Sequence, residues 1–411
     1  MPLSFRTFFL TVLALACLCP AARAADLTFH PRVTVTGEYN DNVEETDGGK
    51  GDWVGIVKPG MSLIYDHSRV LLDVSYDLES KTYANKVRGN ELNNYLASNL
   101  NVEAIKDLFY VDVSDNYSMV YEDVTQGEVP SGDTSNGTTD QNIFSLRPYF
   151  SFPLQERTTL TTGGEAQDIW YSEDGNVDKR VYSLFADLDH ELTERLSVQL
   201  GIGFDRQDPK GQEGGFDRYS TTIGAMYTYA EGSFIEASIS PTYTDFVLAR
   251  ATDKQYTPYS LSITHAFTET LTGTAFSRME FSEDPTSANT KNQFSHGVGL
   301  NHEYKRGHIG AKLEYRDYEA EDSASRTTYW RPSIQGAHDL TERLSIDYNI
   351  YTDFQTNPDS DKYFFALTNL RYALSEEFSC SFNYRFKDRD NEQSDSDYTS
   401  NTFGLSVSWV H

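Results

Sequence analysis

Thr402 to His411 reads TFGLSVSWVH. Phe403, Leu405, Val407 and Trp409 alternate there with Gly404, Ser406 and Ser408, the period of two that gives a strand one oily and one polar face. Placed last in a secreted chain, such a strand has one good use. It pairs with the first strand and closes a barrel in the outer membrane, so that no sheet edge faces lipid. The rest of the chain is expected to repeat it, as an all-β, transmembrane, antiparallel up-and-down β-barrel.

The opposite end supplies the secretion signal. Arg6, the apolar run from Phe8 to Leu18, and Ala22, Arg23 and Ala24 make a charged start, a core too short to span a bilayer, and a small-x-small cleavage site. The expected organisation is a signal peptide over residues 1–24 and a barrel over 25–411, located in the bacterial outer membrane. Leu15 and Ala16 before Cys17 match a lipoprotein box only in part. Cys17 and Cys19 leave with the signal, so Cys380 is the one mature cysteine. That excludes an internal disulfide or a cysteine metal cage, and Cys380 reads as lipid-facing filler.

The chain carries 62 acidic and 34 basic residues, a formal charge of −28, which becomes about −30 once Arg6 and Arg23 depart. Such an excess argues against nucleic acid as a partner. Mean hydropathy is −0.54, and no apolar stretch after the signal reaches the length of a membrane helix. A soluble enzyme of this size would show helical periodicity and an aliphatic core. Here 27 Tyr, 24 Phe and pervasive alternation suit strands that carry one apolar face only.

Two kinds of connection take turns. Nine short turns, from Asp66 to Ser68 through Ser375 to Glu377, alternate with ten long polar loops, from Asp41 to Gly51 through Asp388 to Asp397. About 20 strands result, an even number that puts both ends, and the short turns, in the periplasm and the long loops outside. Eighteen is the next choice, because the hairpin around the third long loop, Glu122 to Gln141, has the weakest pattern. Loops beyond about 12 to 15 residues are usually functional or disordered. Pro130 and Gly132 permit this one to bend into the barrel, although a surface course is the preferred reading.

The turn chemistry repeats. Leu192 to Ser197 and Leu340 to Ser345 share the six residues Leu-Thr-Glu-Arg-Leu-Ser, and Phe267 to Thr272 and Leu374 to Ser379 are close variants. Convergent turn preference explains this as well as duplication does. Between turns, Phe378, Phe382, Tyr384 and Phe386 oppose Ser381, Asn383, Arg385 and Lys387, the first set toward lipid and the second toward the lumen. An outward Arg or Lys at the bilayer midplane costs about 2 to 4 kcal/mol, which fixes the register. Tyr363, Phe364 and Phe365 together are expected near an interfacial aromatic girdle.

Gly37, Glu38, Tyr39, Asn40, Asp41, Asn42 and Val43, followed by Val57, Lys58, Pro59 and Gly60, resemble the start of the uncharacterised outer-membrane proteins of the β-barrel porin type. Many of those occur near exopolysaccharide or exosortase systems. The specific likeness covers about the first hairpin. It implies an outer-membrane barrel and an envelope or polysaccharide context, and supplies no catalytic residues. The chain departs from the general barrel pattern at its end, where the final aromatic is displaced to Trp409 ahead of Val410 and His411.

A search for chemistry returns no catalytic, cofactor-binding or metal-binding residues. The neighbours Asp66 and His67, Asp189 and His190, and His338 and Asp339 point to opposite faces of a strand and cannot share a site. His296 and His302 fall on one outward face, too far apart for joint ligation. Glu122, Asp123, Glu128, Asp133 and Asp140 in the third loop, and Asp388, Asp390, Glu392, Asp395 and Asp397 in the last, are acidic enough to hold Ca²⁺ or Mg²⁺. None has the spacing of a defined calcium loop, so they read as solvated, repulsive loops. The expected function is a porin-like pore for polar solutes or surface polysaccharide, not an enzyme. The alternative is a structural barrel that anchors its acidic loops for envelope assembly. Expected partners are outer-membrane lipid, lipopolysaccharide and the barrel assembly machinery, with a polysaccharide or polar solute as cargo.

Overall fold

The structure, a computed structural model, describes residues 26–127, 129, 137–247, 253–320, 326–357, 360–391 and 397–411. The expected signal peptide lies outside the described residues, as do Glu128, Asp133, Glu392 and Asp395 and parts of the third, sixth, eighth, ninth and tenth long loops.

Each strand pairs antiparallel with its neighbours in sequence, and the first strand, Asp26–Asn40, also pairs with the last, Tyr398–Val410. The seam runs from Arg32 opposite Val410 to Asn40 opposite Thr402. This closure leaves the wall without an open edge at membrane depth, as the terminal sequence requires. Two wall strands are interrupted. Ser233–Ile239 continues into Thr242–Phe246 past Pro241, and Lys254–Tyr256 continues into Tyr259–Ala266 past Pro258. Proline has no N–H for the ladder, so the pattern breaks there. The register nonetheless passes straight through, from Ile223 opposite Ile239 to Ser220 opposite Thr242. Both prolines still accept, Pro241 from the Thr221 N–H at 3.1 Å and Pro258 from the Ser240 N–H at 2.7 Å. Twenty-two segments therefore build a closed barrel of 20 strands. The hairpin of Phe109–Tyr121 with Thr138–Gln155, the weakest in sequence, is fully paired from Phe109 opposite Phe150 to Tyr121 opposite Thr138.

The recurring turn sequence has a single mechanism. The Thr193 hydroxyl accepts from the N–H groups of Arg195 and Leu196, and that of Thr341 from Arg343 and Leu344 in the same way. Thr268 repeats the motif with Thr270 and Leu271, and Ser375 does so with Phe378. A short hydroxylated side chain thus satisfies donors that the tight turn removes from the ladder.

The faces follow the alternation. Leu405 is 68% exposed on the outer wall while Ser406, the next residue, is 8% exposed and bonded to Thr36 across the seam at 2.8 Å. Outward rings meet between strands, as with Tyr39 and Trp53 at 5.2 Å, Phe204 and Tyr219 at 5.1 Å and Tyr384 and Phe403 at 4.9 Å. Of the aromatic triplet, only Phe364 serves the outer surface, against Phe386. Alternation turns Tyr363 and Phe365 inward, where Phe365 is 1% exposed, a correction to the girdle reading.

Candidate functional site: the lumen and its outer mouth

The third long loop enters the barrel. Asp123 accepts the Thr125 N–H at 3.1 Å and starts a single helical turn, Val124–Gln126. Gly127, at φ 85°, then reverses the chain in a conformation that a side chain would strain. At the reversal the Gln126 carbonyl accepts from Arg331 Nη2 at 3.4 Å. The loop follows the fifth wall strand and Arg331 lies on the sixteenth, Arg326–Asp339. In a ring of 20 these are nearly diametrically opposite. Residues 122–127 therefore cross the lumen, which overturns the surface course preferred from sequence.

Arg331 is fixed where the loop meets it. Its Nε and Nη2 hold Asp353 at 2.6 and 2.7 Å, and its guanidinium sits 4.5 Å from the Tyr351 ring centroid. Beside it Glu314, 2% exposed, is gripped by Lys312 and Arg316, each at 2.9 Å. Planar, bidentate pairs of this kind hold a side chain in one orientation better than single contacts do.

A second loop, residues 283–290, also folds over the opening. Its Pro285 carbonyl accepts from Val177 N–H at 2.7 Å, its Ala288 carbonyl from Gln207 at 2.7 Å, and its Thr290 hydroxyl from Arg218 at 3.1 Å. Lys179, fully buried, pairs with Glu283 and donates to the Asp284 carbonyl at 2.6 Å. Burial pushes the Glu283 carboxyl above its usual range, while Lys179 pulls against that shift. Lys291 bridges the two inward loops, at 3.2 Å from Asp284 and 3.9 Å from Asp123. In the first loop Glu45 reaches Lys387 of the inner wall at 2.7 Å. Part of the loop acid is thus spent on lumenal cations rather than left to repel neighbours. Of the other acids singled out in sequence, Asp140 accepts from Tyr117, Asp388 from Thr399 and Asp397 from the Asn391 N–H. No group of three or more metal-ligating side chains forms among the described residues.

The inner wall carries both signs of charge on each side, largely as ion pairs. Register and alternation turn Asp73, Asp77, Glu79, Asp112, Asp187 and Asp205 inward on one side, together with Arg32, Lys81 and Arg147. On the other they turn Lys312, Arg316, Arg331, Arg385, Lys387 and Arg389 inward, together with Glu314, Asp353 and Asp361.

The histidines do not assemble a reaction centre. His190 bonds Thr158, His338 bonds Tyr304 and Tyr348, and His67 meets its neighbour Ser68. His302 lies against Tyr304 on the outer face, the two rings tilted at 36°. Strand pairing brings Ser277 and His296 to 2.9 Å, a contact the sequence did not reveal because 19 residues separate them. The pair faces lipid, and the backbone N–H groups around it belong to the ladder, so none is left to stabilise an oxyanion.

Closure, count of strands and oily outer belt define the class: this chain is a bacterial outer-membrane β-barrel. No family model and no curated protein matches it. Solved structures do. A mutant of the ferric enterobactin receptor PfeA from Pseudomonas aeruginosa is similar with a TM-score of 0.55 at 10% identity, over 95% of this chain and 81% of that one. The FrpB iron transporter from Neisseria meningitidis is similar with a TM-score of 0.52 at 8% identity, over 94% and 82%. The copper transporter OprC gives a TM-score of 0.52 at 8% identity, over 95% and 81%. At these identities the likeness is one of fold. These neighbours are named as receptors and transporters. They carry the resemblance noted in sequence as far as an outer-membrane barrel and no further.

Proposed function

We propose that the protein is a porin-like pore whose outer mouth is narrowed by its own loops, passing polar solutes or surface polysaccharide. The observation that supports this most is the contact of Gln126 with Arg331 across a polar lumen. A 20-stranded wall is too wide to be filled by its own side chains, so it encloses water wherever loops do not intrude. A loop pinned across that water acts as a constriction. The rival reading, a barrel that merely anchors surface loops, gains nothing from loops that bend inward. Single-channel recording of the refolded full chain in a planar bilayer tests the proposal. Discrete conductance steps are expected, and a silent bilayer with correctly folded protein would favour the anchoring role.

A further inference from the structure

Two guanidinium groups converge beside Gly127, which has no side chain to set between them. Arg316 Nη1 and Arg331 Nη1 each lie 3.5 Å, and Arg331 Nη2 3.7 Å, from the point where such a side chain would begin. Several of these donors are idle. Arg331 holds Asp353 through Nε and Nη2, which leaves its Nη1 without an acceptor among the described residues. Arg316 gives Nη2 to Glu314 at 2.9 Å and Nη1 only a 3.4 Å contact with the Tyr329 hydroxyl, while its buried Nε has no partner. Charge is left over as well. Lys312 and Arg316 share Glu314, and Arg331 has Asp353, so three cations stand against two carboxylates. Buried polar groups are nearly always satisfied and neighbouring like charges repel, so idle donors beside a surplus positive charge are suited to an anion.

We propose that this pair of arginines is a binding site for one oxyanion, a carboxylate or phosphate carried by a solute at the mouth, and that the oxyanion unseats the third loop when it binds. Glu314 and Asp353 fix the two guanidinium planes, and the donors they leave over lie beside Gly127. The loop's own hold on the pair is weak. The Gln126 carbonyl accepts from Arg331 Nη2 at 3.4 Å, longer than the usual range of about 2.7 to 3.2 Å. A hydrogen bond to an ionised acceptor is roughly twice as strong as one between neutral groups, and a guanidinium fork matches the oxygens of a carboxylate or phosphate. Oxyanion and loop tip compete for the same donors and the same space, so one displaces the other. A neutral solute has no such advantage. The inference rests on the pore reading for its consequence, a wider opening, although the site itself does not require an open channel.

The test uses the refolded full chain with Cys17, Cys19 and Cys380 changed to serine and Thr125→Cys in the loop, where Thr125 is buried. Labelling of that cysteine by an uncharged maleimide reports the loop leaving its seat, whether or not the channel conducts. Glucose 6-phosphate and glucuronate, which carry the two kinds of oxyanion on one sugar, are expected to speed labelling, while glucose and sodium chloride at equal ionic strength leave it unchanged. A response to one of the two anions alone supports the site and assigns its oxyanion. Arg316→Gln should raise the ligand concentration required by about 10-fold, as loss of one hydrogen bond to a charged group does. Heat-modifiable mobility reports an intact barrel, and if Arg316→Gln does not insert, Arg316→Lys, which keeps the charge but not the fork, is tested with the same expected direction. Labelling indifferent to both anions, equally fast with glucose or chloride, or as sensitive in the Arg316 variant as in the parent would each overturn the proposal. Single-channel current is recorded in parallel. Responsive labelling without current retains the site and rejects the pore, and current with unresponsive labelling retains the pore and rejects the site.

Discussion

Gln126 and Arg331 touch although 205 residues separate them and their strands stand on opposite sides of the barrel. One backbone carbonyl and one guanidinium thus fix how far the third loop reaches into the lumen. Deleting Gln126 to Thr138 removes the span and should raise single-channel conductance. Arg331→Ala, which frees the loop end but leaves the loop, should raise conductance less and make it noisier. Equal, parental conductance in both would return the loop to the surface.

Lys179 is the buried pin of the second inward loop. Removing one partner of a buried ion pair typically costs about 3 to 5 kcal/mol because the other charge is stranded. Here the stranded group, Glu283, can become neutral, since burial already raises its pKa. Lys179→Met should therefore loosen the loop at neutral pH and less so at acid pH. Protease sensitivity of residues 283–290 measured at both pH values checks this, and no difference between them would disprove the coupling.

Leu405 and Ser406 lie side by side in the closing strand but on opposite faces. Leu405→Lys places an ammonium in the oily belt, at about 2 to 4 kcal/mol near the midplane, and should sharply reduce folded barrel. Ser406→Lys points to the lumen and should be tolerated, losing only its bond to Thr36. Folded yield in outer-membrane fractions separates the two, and equal damage would mean that the faces are misassigned.

Glu377, on the last periplasmic turn, accepts from His411 at 3.1 Å and from Trp409 at 3.2 Å. Those bonds hold its carboxyl below the ordinary value of 4.5, the His411 bond contributing most. A depressed folded pKa contributes stability above the unfolded value and loses it as pH falls through the folded one. The C-terminal clasp should therefore weaken below about pH 4.5. In Glu377→Gln that acid-side weakening should disappear. Heat-modifiable mobility across pH 3 to 6 is the measurement, and identical pH profiles would exclude the clasp.

The acidic loops still bias the outer mouth, even with Glu45, Glu283 and Asp284 drawn into pairs. Cations should be favoured over anions in dilute salt. Screening acts over about 8 Å at physiological ionic strength, so the preference should fade as salt rises. Reversal potentials under a salt gradient test this, and a chloride preference at low salt would show that the acidic mouth does not govern passage.

What could be read in the sequence was local. The alternation of Phe403 to Trp409, the turn motif of Leu192 to Ser197 and the count of connections each depend on neighbours within a few residues, and each holds in the structure. The inward loops could not be read that way. Lys179 and Glu283 are 104 residues apart, and nothing in either segment marks the other as its partner.

The seam between the first and last strands sets the order of events in folding. The paired hydroxyls of Thr36 and Ser406 are 370 residues apart, whereas the other strand pairings join consecutive strands of the wall. Local hairpins form on a microsecond scale, but a contact of such separation must first overcome the entropy of nearly the whole chain. Closure is then the slow step, and it cannot begin until the final strand has arrived. A chain cut short of Tyr398 would be no narrower barrel but an open sheet with two bare edges, each able to capture strands from other molecules.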